Sequence, residues 1–349
     1  YISDDRFLSV SPIGGVDAAI LPGMRVDVHT RTGMLRGVVG RKPIHLIGAD
    51  ERKTVTALDD LVIDLGMPAH KVKAKVSVGD AITYGVGFER FGRDMAVSKS
   101  FDDKSGVFIA CEVMERLAEN GQMRGTYIAA ITTQEEIGTR GATTSAYSVD
   151  PDVAVAFDVT HATDYPGINK TKHGDIRCGS GPVIARGPNI NPFVFERLVA
   201  AAEAEGIPYQ LEAEPAATGT DARAIQISKG GVPTGLVSIP LRYMHTPNET
   251  VSLKDIDATI RLLVRFALDL EYDASFVPGF SAQVERPNAG RAEKKPVDPE
   301  KALKKMSAKL EKLNARIAEL EDENSQMATV QKAQRELFEK LSRRQEEAD

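Results

Sequence analysis

Tryptophan is absent from the 349-residue chain, and aromatic residues make up only 6% of it. Little is left from which to build a sugar-stacking platform or a base-stacking groove. Cysteine is almost as scarce: Cys111 and Cys178 lack metal-ligand spacing and make no disulfide framework. Cys111 falls on the apolar face of an expected helix, where a packed thiol is the ordinary role. No charge of one sign dominates. The formal net charge of −6 is modest and spread along the chain, so neither nucleic acid nor a membrane is an expected partner. No signal peptide and no bilayer-length apolar run is read, so the expectation is a cytoplasmic protein. An initiator Met is also missing: Tyr1-Ile2-Ser3-Asp4-Asp5-Arg6-Phe7-Leu8-Ser9-Val10 reads as the middle of a β-hairpin. A domain rarely starts there, because its first strand would lack a partner, and a truncated sequence is expected.

At 42% hydrophobic and 27% charged, the chain has ample core for two or three domains. Residues 1–94 carry short strands punctuated by Gly14-Gly15, Pro22-Gly23, Arg31-Thr32-Gly33 and Gly79-Asp80, the pattern of a small β-barrel or sandwich. His29, His45 and His70 are scattered through this part and read as ordinary surface or core histidines. Residues 95–275 alternate strand and helix. A helix opens at Asp103, with Val107, Phe108, Cys111, Met114 and Leu117 on one face, and stops near Asn120-Gly121. Apolar strands are expected at residues 127–131, 153–158, 209–211 and 235–239, and helices at 193–205, 221–229 and 252–272, the last with Ser252 as N-cap. This predicts an α/β fold with a mixed sheet and helices on both faces.

Residues 276–299 lose periodicity and read as a linker. In 300–345, Leu303, Met306, Leu310, Leu313, Ile317, Leu320, Asn324 and Met327 step by three and four, an a/d coiled-coil seam. Asn324 at an a position favours two strands in register, and Arg316 and Glu321 sit where they could pair across a dimer. A single amphipathic helix folded back on the body is the other reading of the same pattern.

The chemistry concentrates at the ends of the α/β strands. Glu135-Glu136 follows an apolar run, and neighbouring side chains on extended backbone point different ways, so one carboxylate can ligate a metal while the other handles a proton. Asp102-Asp103, Asp158 and His245 fall at equivalent places. Alone, Asp158 would read as a turn cap and His245 as a loop histidine. Together they suit two divalent cations such as Zn²⁺ or Co²⁺ sharing a carboxylate, a pair that activates a water and polarises a carbonyl.

Ser100-Phe101-Asp102-Asp103-Lys104-Ser105-Gly106, Thr133-Gln134-Glu135-Glu136-Ile137-Gly138, Phe157-Asp158-Val159-Thr160-His161-Ala162, Gly219-Thr220-Asp221-Ala222 and Tyr243-Met244-His245-Thr246-Pro247 occur in that order. This set resembles the tetrahedral dinuclear metallo-aminopeptidases, also known as glutamyl or deblocking aminopeptidases, over residues 1–272. The resemblance implies a zinc-peptidase-like catalytic domain with an inserted β-barrel that assembles dimers and then a hollow dodecamer. It implies that Asp102 bridges two metals and is joined to Asp103 by an unusual peptide bond. Asp158 would bind the first metal, and Glu136 and His245 the second. Glu135 would be the general base that moves the proton from the attacking water to the leaving amine. The loop Gly219, Thr220 and Asp221 would line the pocket for short peptides. The family's His-x-Asp motif, which supplies a first-metal ligand, has no counterpart here, and the family pattern contains no coiled coil, which would take a partner of its own. One site would then be crippled and the sheet incomplete, and the second reading is an inactive relative acting as an assembly module through barrel and coiled coil. The family's older endoglucanase label is disfavoured, since a glycosidase needs two carboxylates across a sugar, with aromatic platforms and no metal.

Overall fold

The computed structural model describes residues 1–277. The linker past residue 277 and the coiled-coil seam at 300–345 lie outside the described residues.

The first sheet is antiparallel. Strands β1 (Arg25–Thr30), β2 (Gly33–Gly40), β3 (Val62–Asp64) and β4 (Ala81–Tyr84) lie in the order β3-β2-β1-β4, with helix α1 (Ala69–Lys75) between β3 and β4 in sequence. Val26, Val28, Val39, Leu61, Ile63 and Val72 form its core. Asp27, between Val26 and Val28 on β1, is also buried, and Arg36 reaches it at 3.1 Å and Lys99 at 4.0 Å. Residues 1–10 do form the expected turn, and single bridges join Ile2 to Leu8 and Leu8 to Ile63. The expected barrel, however, is an open sheet. Closure needs the edge strands to be long and staggered enough to pair; β3 and β4 span only three and four residues, and no ladder joins them among the described residues.

The second sheet carries β5 (Glu89–Phe91), β6 (Met95–Ser98), β7 (Ala154–His161), β8 (Val183–Arg186), β9 (Gln210–Ala213), β10 (Thr234–Arg242) and β11 (Glu249–Ser252). Their order is β5-β6-β11-β10-β8-β9, with β7 also on β10. β10 runs parallel to β7 and antiparallel to β8 and β11, so the sheet is mixed, as expected. The helices are α2 (Phe101–Asn120), α3 (Arg140–Val149), α4 (Lys170–His173), α5 (Pro192–Glu205), α6 (Ala222–Ile225) and α7 (Leu253–Asp269). β10 is apolar on both faces because both are covered. Val237, Ile239 and Leu241 pack with Ile109 of α2, Leu198 of α5 and Leu262 of α7, whereas Leu236 packs with Ala222 of α6. No described helix is long and apolar enough to cross a membrane.

Local signals work where the partner is local. At α5, Asn191 accepts from the N–H groups of Phe193 and Val194, Pro192 occupies the first turn, and Gly206 closes the helix in the left-handed region. At α7, Ser252 makes no capping bond because it belongs to β11, and Asp255 is buried, accepting from the N–H groups of Gly179 and Gly181 at 2.6 and 2.8 Å. The helix expected over 221–229 shortens to α6. On α2 the buried stripe is Ile109, Ala110, Val113 and Leu117, so Val107, Phe108 and Met114 are exposed and Cys111 is an exposed thiol rather than a packed one.

The expected strand at 127–131 joins no ladder among the described residues, and β7 is paired along one edge only. Ile128 and Ile131 are therefore exposed. Tyr127 and Ala129, with Val155 and Phe157 of β7, Val107 of α2 and Phe266 of α7, line a cleft of about 970 Å³. The acidic cluster described below opens onto this cleft.

Gly181 marks the tightest backbone approach. Its φ is +95°, and a Cβ there would stand 1.8 Å from the Pro208 carbonyl oxygen. Gly181→Ala is expected to cost about 3–4 kcal/mol through strain and displacement of the β8–β9 connection. A midpoint in urea shifted by less than 1 kcal/mol-equivalent would show that the connection yields freely.

Candidate active site

Adjacent carboxylates separate their roles at the start of α2. The resemblance implied an unusual peptide bond between Asp102 and Asp103; it is cis, and Ser100 before it has φ 59°. Asp103 turns inward and caps the helix, accepting from the Gly106 N–H at 2.8 Å and the Ser105 hydroxyl at 3.2 Å. Asp102 faces His245, with Oδ2 3.1 Å from Nε2. Glu135 and Glu136 sit on a single 3-10 turn, Glu135–Ile137, entered through left-handed Gln134 and tied back by the Gly141 N–H donating to the Thr133 carbonyl. Glu136 Oε2 is 3.7 Å from the same His245 Nε2. One donor atom each from Asp102, Glu136 and His245 can be chosen so that all lie within 4.8 Å of one another.

The remaining predicted residues surround this group. Asp158, half-buried midway along β7, accepts from the Val159 N–H at 2.7 Å and stands outside the close group of three. Asp221 lines the cleft; the Thr132 hydroxyl donates to its Oδ2 at 2.5 Å, while Oδ1 is buried without a partner among the described residues. The Thr220 hydroxyl is engaged inside its own loop, by the Thr218 hydroxyl and the Ala222 N–H, and neither it nor Gly219 lines the cleft.

Withdrawal from water and mutual repulsion push these acids upward. Burial, then Asp221, Glu136 and Asp102, raise Glu135 to about 7. Burial, with Asp102, Glu135 and Asp221 behind it, raises Asp158 to about 8. Asp102 is raised by burial and by Glu136, and Asp221 by burial. Carboxylates that disfavour each other's charge beside an imidazole make a natural cation site. The donor set fits: two carboxylate oxygens and one ring nitrogen suit Zn²⁺ or Co²⁺, and the orphaned Asp221 Oδ1 marks an unmet demand for positive charge.

Two features of the site went unread in the sequence. Gly14-Gly15 looked like turn punctuation, but a Cβ on Gly15 would stand 2.6 Å from His245 Nδ1, and one on Gly14 3.2 Å from Glu136 Oε2. This backbone walls one side of the imidazole and leaves Nε2 toward the carboxylates. Glu249 is the other, a buried acid bonded to the backbone of both Asp102 and His245. A Gly-Gly pair in a loop and a Glu near a strand start carry no periodic signal that would have exposed either.

Comparison with known proteins agrees with the geometry. Residues 1–262 match the profile of the family described as M42 glutamyl aminopeptidase. The lysyl aminopeptidase of Pyrococcus furiosus is 34% identical over 265 residues, 75% of each chain. The TET aminopeptidase of a marine-sediment Thaumarchaeota archaeon is 33% identical, with 78% of each chain covered and a TM-score of 0.73. The TET1 peptidase of Pyrococcus horikoshii, described as assembling into a tetrahedron or a large octahedral shell, is 30% identical with a TM-score of 0.68 over 77% of this chain and 79% of its own. On the sequence match, and with the fold and the acidic cluster in agreement, the chain belongs to the M42 glutamyl aminopeptidase family.

Proposed function

We propose that this protein is a metal-dependent aminopeptidase that removes residues from the amino end of short peptides, with Glu135 as general base. The observation that supports the reading is that Glu135 lines the same cleft as Asp102 and Glu136, near enough that both carboxylates raise its pKa. Glu136 and His245 would hold one divalent ion together with Asp102, and Asp158 would hold a second that shares Asp102. Bound there, such ions supply Lewis-acid polarisation of the scissile carbonyl and make a water acidic near neutral pH.

The protein's own groups handle the proton. Glu135 is half-buried and held by a short turn, and its pKa near 7 suits both accepting a proton from the attacking water and returning it to the leaving amine. Asp221, oriented by Thr132, adds negative charge at the cleft wall, where it would favour the ammonium of a peptide's first residue. An assembly module without chemistry has no use for carboxylates that raise one another's pKa, so the enzymatic reading takes precedence. By likeness to the relative described as assembling into a tetrahedron or a large octahedral shell, the protein is inferred to form a homo-oligomer.

Aminoacyl chromogenic substrates test the reading. Activity is expected to vanish with EDTA and return with Zn²⁺ or Co²⁺. A folded, metal-loaded protein that releases no amino acid from any of the panel would overturn it.

A further inference from the structure

We infer that Glu249 is a positioning residue of the metal cluster: its carboxylate ties together the two chain segments that carry Asp102 and His245. The inference rests on the metal reading proposed above. Glu249 begins β11 and pairs across the ladder with Ser98, the last residue of β6. The segment leaving β6 leads to Asp102, and the turn entering β11 from β10 contains His245. Sheet register therefore sets one side chain between both loops.

Both carboxylate oxygens are used. Oε2 accepts from the Asp102 N–H at 3.0 Å and Oε1 from the His245 N–H at 2.8 Å. The residue is 2% exposed, and no Lys, Arg or His pairs with it among the described residues. A buried carboxylate without a cation is costly, so packing alone would favour an apolar residue here. What Glu249 supplies is an acceptor for two amides that no ladder can satisfy. Both loops pass through the left-handed region at residues other than glycine: Ser100 at φ 59°, Tyr243 at 62° and His245 at 61°. That conformation is strained for residues with a side chain and persists only where something holds it. With both backbones clamped, Asp102 Oδ2 and His245 Nε2 meet at 3.1 Å. Glu249 itself lies outside the donor group and would act through its neighbours rather than on the ion.

Glu249→Gln is the direct test. It keeps the shape but turns an NH₂ toward one of the two amides, breaking one clamp. Zn²⁺ affinity, measured by competition with a chelating indicator, is expected to fall about 10- to 100-fold, and the visible spectrum of the Co²⁺-loaded protein should change, with far-UV circular dichroism unchanged. Asp255→Asn is the control, since Asp255 is also a buried acid holding two backbone N–H groups, but away from the cluster. It should lower the thermal midpoint and leave metal affinity alone. If the Gln variant does not fold, Glu249→Asp replaces it; the shorter carboxylate cannot span both amides, and the same loss is expected. Wild-type affinity and spectrum in a folded Glu249 variant would overturn the inference and leave the metal reading standing. So would an equal loss in Asp255→Asn, which would make the effect general loosening. A wild-type protein that binds neither Zn²⁺ nor Co²⁺ would overturn both.

Discussion

Glu135→Gln is expected to lower kcat by about 10²- to 10⁴-fold, the range for removing a general acid–base group, while bound metal per chain stays at the wild-type level. The amide is isosteric and cannot take a proton. Nothing in the donor group depends on it, because Asp102, Glu136 and His245 come together without Glu135. Its turn is held by backbone bonds, Gly138 N–H to the Glu135 carbonyl and Gly141 N–H to the Thr133 carbonyl, so the substitution leaves the local fold intact. Substrate affinity should change little, since the proton is moved only during reaction. Steady-state kinetics together with metal analysis of the same preparation check this. Retained activity within tenfold of wild type would remove Glu135 from the mechanism, and loss of metal alongside activity would make it a ligand instead.

The second large effect concerns stability. The metal-free protein is expected to be more stable near pH 5.5 than near pH 8, and saturating Zn²⁺ at pH 8 to reverse the order. Asp255, held near 6, Glu135, near 7, and Asp158, near 8, all lie above their usual values, and burial also raises Asp102, Asp103, Asp221 and Glu212. A carboxyl whose folded pKa is raised binds its proton more tightly in the folded state. Its contribution is complete below the unfolded pKa, near 4, and is lost as pH rises through the folded value. Asp164 works in the opposite sense, because Arg242 bonds it at 2.7 and 2.6 Å and holds it low, but that contribution is complete well before pH 5.5. His161, held below its ordinary value by burial, opposes within the window, but it is one group against three raised carboxyls, so the net slope from pH 5.5 to 8 is downward. A divalent ion stabilises the ionised cluster, and at a thousandfold excess over its Kd it adds about 4 kcal/mol, or roughly 10 °C in Tm for a domain of this order of size. Thermal melts in EDTA and in Zn²⁺ at the two pH values are the measurement. A metal-free midpoint that climbs from pH 5.5 to 8, or Zn²⁺ that moves neither, would contradict the account.

Elements with short-range signals were legible from residue order. α5 carries its own caps at Asn191, Pro192 and Gly206, and β10 is apolar over most of its length, so both are found where hydrophobic pattern and capping put them. Asp102, Glu135, Glu136, Asp158 and His245 stood out because acidic and imidazole groups at the ends of apolar strands are out of place unless they do something. Their sequence context was also enough to point to the aminopeptidase family.

What remained hidden depends on partners far away in the chain. The 127–131 run has the composition of a buried strand, yet pairing needs a neighbour, and among the described residues β7 is bonded on one edge only. The face that α2 buries is decided by where β7 and α7 sit; helical spacing allowed the stripe through Cys111 as readily as the one through Ile109 and Val113. Barrel closure was likewise a matter of edge lengths in space. The clearest case is the support of the site. Gly15 reaches His245 across more than two hundred residues of chain, and Glu249 reaches back to Asp102 over 147. Residue types at strand ends determined which groups could do chemistry. Only the register of β6, β10 and β11 decided that one buried carboxylate would hold two of them 3.1 Å apart.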